Sequence, residues 1–144
     1  MAENIEIDEF LPYLLAHASA LVSRQVDEIA AAEKISRNEC KILLTLMNYK
    51  GVSLNELAEI MIIKQPTLSR IVEAMVEAGW LERIAVAEDR RAVRISLTTS
   101  GREKAKPLVA HAREMDSSIT QNIGDEESLV LKKILNQVIS DENK

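Results

Sequence analysis

Apolar residues recur at steps of three and four through the first part of the chain, with polar residues between them. This spacing predicts an amphipathic helix from Ile7 to about Ala32, because residues three and four apart share one face of a helix. Pro12 must lie in its first turn or just before it, where a proline removes no helical hydrogen bond. The apolar positions are Phe10, Leu11, Leu14, Leu15, Ala18, Leu21, Val22, Val26 and Ile29.

Two serine–glutamate pairs at a spacing of three predict the starts of two further helices. In such a capping box, each side chain accepts a hydrogen bond from the backbone N–H of the other residue. Ser36–Glu39 predicts a helix to about Tyr49, and Ser53–Glu56 predicts a short helix through Ile60.

A fourth helix is predicted only four residues later, from about Lys64 to Ala78. Gly79 supplies the left-handed residue that ends many helices. Two helices joined by so short a turn, the second of them amphipathic, indicate a helix-turn-helix. The buried face of the fourth helix is expected to carry Leu68, Ile71, Val72 and Met75.

The pattern then changes from helical spacing to alternation, which is typical of strands. Two strands, Trp80–Ala85 and Ala92–Leu97, joined by the six-residue loop Val86–Arg91, predict a hairpin. A long helix follows, because Thr98-Thr99-Ser100-Gly101 offers several N-caps and Ser100–Glu103 matches a third capping box. It should run to about Asn122, or ~35 Å.

After Gly124-Asp125 a last helix is predicted, so the order is four helices, a hairpin and two helices. The fold class is therefore mainly helical, α+β. The first helix and the last two carry more apolar surface than a small helix-turn-helix core can cover, and we expect a second subunit to bury it. The apolar residues of the last helix are Leu129, Val130, Ile134, Leu135, Val138 and Ile139.

Composition fits one globular domain, since the chain has 144 residues, of which 47% are apolar and 28% charged. The net charge of −5 argues against nucleic acid only until it is divided along the sequence. Residues 1–49 carry 4 basic and 8 acidic side chains, residues 50–106 carry 10 and 8, and residues 107–144 carry 4 and 7. Because salt screens exposed charges beyond roughly 8 Å, the basic middle segment can face phosphate despite the acidic total.

The sequence offers little for catalysis, metal binding or export. It has no Gly-rich phosphate loop, and its single cysteine, Cys40, excludes an internal disulfide framework and a multi-cysteine metal site. The two histidines lie far apart with no nucleophile motif nearby. The acidic N-terminus lacks an export signal, and no apolar run reaches the ~18 residues that span a bilayer. We therefore expect a cytoplasmic protein that is not an enzyme and needs no cofactor or metal.

Polar side chains at the start of the fourth helix suit contact with DNA. A recognition helix enters the major groove N-terminus first, so hydrogen-bonding groups belong there and carboxylates belong away from phosphate. Gln65 can pair with adenine, and Arg70 can bond phosphate or guanine. An ordinary polar surface helix is the alternative, but the preceding helix and the following hairpin favour DNA. The predicted contact residues are Lys64, Gln65, Pro66, Thr67, Ser69 and Arg70.

The hairpin loop carries Asp89, Arg90 and Arg91, and Arg94 follows on the returning strand. A guanidinium on a narrow hairpin can enter a minor groove, whose negative potential attracts it. Asp89 would hold the loop by capping backbone N–H groups or by pairing with one arginine. An isolated motif of this kind is more often a solvated turn, but its place after a helix-turn-helix favours a wing that contacts DNA.

These motifs resemble those of the MarR family of winged helix-turn-helix transcriptional regulators. The resemblance to the family's wing motif lies in Glu88-Asp89-Arg90-Arg91 followed by Leu97-Thr98-x-x-Gly101. The resemblance to its recognition-helix motif lies in Leu57-Ala58 followed by Pro66-Thr67-Leu68-Ser69-Arg70. The chain departs from the family pattern at Met61 and Ile63, where the helix-turn-helix turn often has a small residue and then a polar one.

The resemblance implies that Arg91 enters the minor groove with Asp89 as its supporting acid. It places Gln65, Thr67, Ser69 and Arg70 where the family meets DNA. The whole chain, 1–144, would be one domain, with 36–100 as the DNA-binding lobe and 5–32 and 101–140 as dimerisation helices. An obligate homodimer of this kind predicts a pseudo-palindromic operator in double-stranded DNA, with half-sites about 34 Å apart, and repression as the default mechanism.

The resemblance further implies release by a small aromatic or anionic effector bound between the dimer helices and the DNA lobe. Tyr13, His17, Arg24 and His111 are the candidate pocket residues, although interface or surface roles are the favoured alternative. Some family members sense oxidants through cysteine, and the helix dipole could favour a Cys40 thiolate, but an inert thiol fits better. A winged-helix module for protein contact, without DNA, is the remaining alternative.

Overall fold

The structure is a computed structural model that describes residues 4–86 and 88–142; for residues 89–91 it describes the backbone alone. Within these residues a turn of 3₁₀ helix (Ile7–Glu9) precedes six helices and two strands. The mainly helical content and the element order confirm the predicted fold class. The elements are α1 (Leu11–Ala32), α2 (Arg37–Leu46), α3 (Leu54–Met61), α4 (Gln65–Glu77), β1 (Leu81–Val86), β2 (Asp89–Leu97), α5 (Thr99–Ile123) and α6 (Asp125–Glu142).

Both predicted capping boxes are confirmed. Ser36 Oγ accepts from the Glu39 N–H at 3.2 Å, and the Glu39 carboxylate accepts from the Ser36 N–H at 2.7 Å. At the start of α3, the matching distances for Ser53 and Glu56 are 3.1 and 2.9 Å. Helix α2 ends at Leu46, earlier than predicted, because the next residues form the tighter i to i−3 hydrogen bonds of a turn.

The hairpin differs from its prediction, because the strands leave no six-residue loop. Strand β2 already begins at Asp89, which pairs with Val86, and the antiparallel pairing continues to Leu81 and Leu97. The pairing shifts between Ala85, opposite Val93, and Val86, opposite Asp89, so that residues 90–92 form a bulge. A bulge re-aims the strand locally.

The predicted third capping box is also wrong, since Ser100 lies inside α5 rather than before it. The residue that caps α5 is Thr98, whose Oγ1 accepts from the Gly101 N–H at 2.9 Å. The same hydroxyl donates to the Gly79 carbonyl at 2.6 Å. Thr98 therefore joins the start of α5 to the glycine just after α4.

The core lies among α2, α3, α4, the two strands and the first turns of α5. Val52, between α2 and α3, extends the sheet through a bridge to Ile95, with N–H to O distances of 3.0 and 2.7 Å. On α4 the predicted core face is buried, with Ile71 only half-buried. The largest fully buried side chains are Ile42, Leu43, Leu46, Leu57, Leu68, Met75, Leu81 and Leu108.

Helix α1 joins the helix-turn-helix lobe through a charged pair. Arg37, at the start of α2, donates two hydrogen bonds to Asp27 of α1, at 2.6 and 2.5 Å. The hydrogen bonds from Arg37 lower the pKa of the Asp27 carboxyl below its ordinary range, so the pair stays ionised at neutral pH.

Contacts divide the described chain into two compact units, one up to Leu108 and one from Val109. In the first unit, α1 and the residues before it leave a row of large apolar side chains exposed: Phe10, Leu11, Leu14, Leu15, Leu21 and Val22. In the second, α6 does the same with Leu129, Val130, Ile134, Val138 and Ile139. The predicted surplus of apolar surface is confirmed, while the single-domain description stays a prediction. In the described ranges, no helix has the length and apolarity to span a membrane.

Candidate nucleic-acid interface

The N-terminal end of α4 is open. Lys64, in extended conformation, precedes the helix, and among the described residues no side chain caps it. Pro66 occupies the first turn, where its missing N–H removes no helical hydrogen bond. The first N–H groups of a helix lack intrahelical partners and carry the positive end of the helix dipole. This end can therefore receive an acceptor from outside the protein.

The predicted contact residues surround this end, with one exception. Lys64, Gln65, Pro66, Thr67 and Arg70 are exposed. Ser69 is instead half-buried, in a cleft of about 250 Å³ between α4 and the sheet. The cleft is otherwise lined by Leu54, Val72, Arg83, Val93 and Ile95. Of the predicted set, Ser69 thus faces the sheet more than solvent.

A wider groove joins the start of α4 to the hairpin. Its volume is about 430 Å³, and Gln65 lines it together with Asn55 of α3. The wing strands contribute the opposite wall, through Val86, Ala92, Val93 and Arg94. The structure thereby brings together two regions that the sequence analysis singled out, the open end of α4 and the part of the wing next to its tip.

Asn55 was not among the residues predicted from the sequence. It lies in the first turn of α3, between the serine and the glutamate of the second capping box, and its side chain is exposed. In the sequence, Ser53 and Glu56 account for this segment as a helix start, and the amide between them carries no further pattern. The only sequence signal was a polar side chain in the first turn of a helix.

The tip of the wing carries three of the four predicted wing residues. Asp89, Arg90 and Arg91 belong by their backbone to β2, and their side chains lie outside the described part of the chain. Asp89 pairs with Val86 beside the bulge, and Arg90 and Arg91 belong to the bulge by their backbone. Contact of these side chains with DNA stays a prediction.

Arg94, the fourth, is hydrogen-bonded to neighbouring parts of the lobe. Its Nη1 donates to the Gly51 carbonyl at 3.0 Å and lies 3.4 Å from Glu56 Oε2. That carboxylate oxygen is the one that accepts from the Ser53 N–H in the capping box. Arg94 therefore ties β2 to the start of α3, although the side chain remains about half exposed, at 46%.

The four candidate pocket residues are divided between the two units, with three on α1 in the first and His111 on α5 in the second. The rings of Tyr13 and His17 lie 5.7 Å apart and tilted by 46°, and both residues are exposed. Arg24 is exposed two turns further along α1. His111 belongs to the second unit, where its Nδ1 lies 3.6 Å from Glu114. A pocket at these residues stays a prediction.

Cys40 has the environment of a structural thiol. It is 1% exposed, and burial raises the pKa of the thiol above its ordinary value. Oxidant-sensing cysteines are accessible and have a lowered pKa. Arg37, a nearby cation that could have favoured a thiolate, is committed to Asp27. The structure therefore argues against the redox alternative.

The sequence profile of the MarR family matches residues 35–93 of the chain. The transcriptional regulator PecS of Dickeya dadantii is 29% identical over 127 residues, which cover 86% of this chain and 76% of PecS. A cysteine mutant of MarR from Escherichia coli, solved with operator DNA, has a TM-score of 0.76 at 22% identity, over 94% of this chain and 99% of that one. NadR, solved with 4-hydroxyphenylacetate, has a TM-score of 0.82 at 22% identity, over 96% and 95%. In sequence and in fold, the chain is similar to regulators of this kind.

Proposed function

Because this chain belongs to the MarR family of transcriptional regulators, we propose that it is a homodimeric repressor that binds a pseudo-palindromic operator in double-stranded DNA. The observation that carries the proposal is the open start of α4 and the part of the wing next to its tip, which line one groove. The MarR mutant with a similar fold was solved with operator DNA, which supports DNA binding by this chain.

In the proposed complex, α4 enters the major groove with its N-terminus first. Gln65 and Thr67 contact base edges, and Lys64 and Arg70 contact phosphate or guanine. The wing lies along the adjacent minor groove, where Arg91 enters and Asp89 orients it, with Arg90 beside them. We assign Asn55 to phosphate contact, because it lines the same groove as Gln65.

The dimer is proposed on the exposed apolar rows of α1 and α6. A soluble monomer rarely exposes contiguous apolar surface of that extent, and obligate interfaces are apolar like a core cut in two. A two-fold axis would present two α4 helices to successive turns of the major groove, about 34 Å apart.

We further propose that a small aromatic acid releases the repressor. NadR, a protein of similar fold, was solved with 4-hydroxyphenylacetate. Tyr13 and His17 offer aromatic faces and Arg24 a cation on α1, the types of group that would hold such an acid. The activity proposed is binding rather than catalysis, and its place is the cytoplasm, where a regulator meets its DNA.

The test is selection of bound sequences from a pool of random duplexes with the purified full-length protein. We expect enrichment of a two-fold-symmetric sequence. Its affinity, measured by fluorescence anisotropy, should fall about 10³-fold or more between roughly 50 and 200 mM salt, because each phosphate contact displaces counterions.

Addition of 4-hydroxyphenylacetate to the same assay tests the effector, with acetate as the control that lacks a ring. A module for protein contact would enrich no sequence and show no binding to duplex DNA in this assay at either salt concentration. That result would overturn the proposed function.

A further inference from the structure

One lysine of α5 contacts both the end of α1 and the tryptophan that follows α4. Lys104 is half-buried, and its Nζ donates to the Glu33 carbonyl at 2.8 Å. The same ammonium lies 5.3 Å from the centre of the Trp80 ring. Lysine is among the residues most seldom buried, so a half-buried ammonium with two defined contacts indicates a specific role.

Both contacts of Lys104 are favourable for a cation. Glu33 follows the last residue of α1, where the final carbonyls lack intrahelical partners and the helix dipole is negative. The lysine satisfies one of these carbonyls with a charged donor. The face of an indole ring attracts the same cation and excludes water from one side of it.

The two helix ends that Lys104 contacts have a defined backbone conformation. At the end of α1, Lys34 has a positive φ of 57° and the Ile35 N–H donates to the Ala30 carbonyl at 3.0 Å. At the end of α4, Gly79 has a φ of 82° and the Trp80 N–H donates to the Met75 carbonyl at 3.0 Å. These are Schellman ends, in which each helix stops on a defined backbone geometry.

We propose that Lys104 is a positioning residue that fixes the angle of the recognition helix α4 to α1, and so sets the half-site spacing that the dimer accepts. The inference rests on the proposed function, because the spacing matters only if two copies bind one operator. The lysine lies at the C-terminal end of α4, away from the N-terminal end that is proposed to meet DNA. It would act on DNA recognition without touching DNA.

Lys104→Met removes the ammonium and keeps an apolar stem of similar reach. The matched control is Lys106→Met, which removes the same charge from the same helix two residues later. Lys106 is exposed and contacts Glu103 within α5, at 2.6 Å. Lys104→Arg, which can donate to the same carbonyl and lie on the same ring, should restore much of the wild-type behaviour.

The readout is anisotropy with the selected operator and with versions that have one base pair added or removed between the half-sites. We expect wild type and Lys106→Met to lose about tenfold or more in affinity when the spacing changes, because the two helices must fit successive turns of one groove. Lys104→Met should bind the original operator more weakly and distinguish the spacings by less than about threefold. Sedimentation and circular dichroism should show a folded dimer in every case.

Wild-type spacing preference in a folded Lys104→Met dimer would overturn the inference and leave the proposed function intact. If that variant melts below the assay temperature, Trp80→Phe decides the matter, because it keeps an aromatic ring and weakens the attraction for the cation. The Trp80→Phe variant is then expected to relax the spacing preference in part, and an unchanged preference would overturn the inference. Failure of the wild type to bind any duplex would overturn the proposed function and this inference with it.

Discussion

The two ends of α4 are built differently. At its C-terminal end the carbonyls of Met75 and Val76 accept from the N–H groups of Trp80 and Gly79, at 3.0 Å each. The Gly79 carbonyl then accepts from Thr98. At its N-terminal end Lys64 offers no cap, among the residues the structure describes, and most of the surrounding side chains are exposed. The C-terminal end is satisfied inside the protein, whereas the N-terminal end has no side-chain cap among the described residues.

Within the helix-turn-helix, α3 and α4 begin differently, while α1 resembles α4 in starting without a side-chain cap in the part of the chain that the structure describes. In the same lobe α3 begins with a complete capping box, and Arg94 adds a charged contact to its Glu56. An N-cap is worth about 1 kcal/mol, so a helix start without one loses stability that the fold could have had. Under the proposed function, the closed end of α4 would serve stability and its open end would serve binding. Substitutions at one end should therefore change one of these properties more than the other.

The largest effect is expected at the closed end, from Gly101→Ala. A Cβ at this position would overlap the Trp80 carbonyl and lie 3.2 Å from Leu97 Cδ2. Because the backbone beside a strand cannot yield as a flexible side chain does, we expect a loss of about 3 kcal/mol in the free energy of unfolding, measured by urea denaturation. The exposed neighbour Ser100→Ala is the control. A Gly101→Ala protein as stable as this control would contradict the overlap.

The next largest effect is expected on DNA, from Arg91→Ala. We expect operator affinity to fall by about ten- to a hundredfold, broadly across sequences, because the arginine is proposed to enter the minor groove. The melting temperature should not change. Arg102→Ala removes the same charge from an exposed position on α5 and should change affinity far less. Equal losses of affinity in the two variants would show that Arg91 acts only through its charge and not by entering the minor groove.

The closed end and the rest of the fold followed largely from local patterns. A capping box and a glycine that ends a helix depend only on residues a few positions apart. The roles of Ser36, Ser53 and Gly79 at helix ends could therefore be predicted from the sequence. Thr98 was one of several candidate caps for α5, but the sequence could not select it, because its hydroxyl also contacts Gly79, nineteen residues earlier. The same contact explains why Ser100, with an equally good local pattern, lies inside the helix.

The polar residues at the start of α4 were predicted by residue type, but the geometry of the turn before the helix depends on tertiary structure. Ile62, in the turn before α4, adopts a left-handed conformation with φ 55° and is 92% exposed. A β-branched residue disfavours that conformation, so residue type alone argued against it. The turn imposes the conformation because the Ile62 and Ile63 N–H groups bond to the end of α3. Likewise, the contacts of Arg94 with Gly51 and Glu56 could not be predicted from the sequence, because they depend on where the sheet lies relative to α3.

A smaller effect, on specificity, is expected from Gln65→Ala. If Gln65 contacts a base edge, its removal should reduce the preference for one base at one operator position. The expected loss is about 1–2 kcal/mol in the binding free energy that separates the preferred base from the others, with little change at other positions. The measurement is a second selection from random duplexes with the variant protein, compared position by position with wild type. Asn55→Ala, which lines the same groove, is the control and should weaken all sequences alike. An unchanged preference in Gln65→Ala would remove it from the reading residues.

The smallest effect is expected from closing the open end with Lys64→Ser. A serine at the N-cap accepts from the N–H of the second or third helical residue. Because Pro66 has no N–H, only the Thr67 N–H is available. The new bond should stabilise the protein by about 0.5–1 kcal/mol and at the same time weaken DNA binding, since it occupies a donor proposed for DNA and removes a charge. Lys64→Ala removes the charge alone, so it should weaken binding without the gain in stability. If thermal and urea denaturation show the serine and alanine variants to be equally stable, the start of α4 is not open in solution, and the contrast between its two ends does not hold.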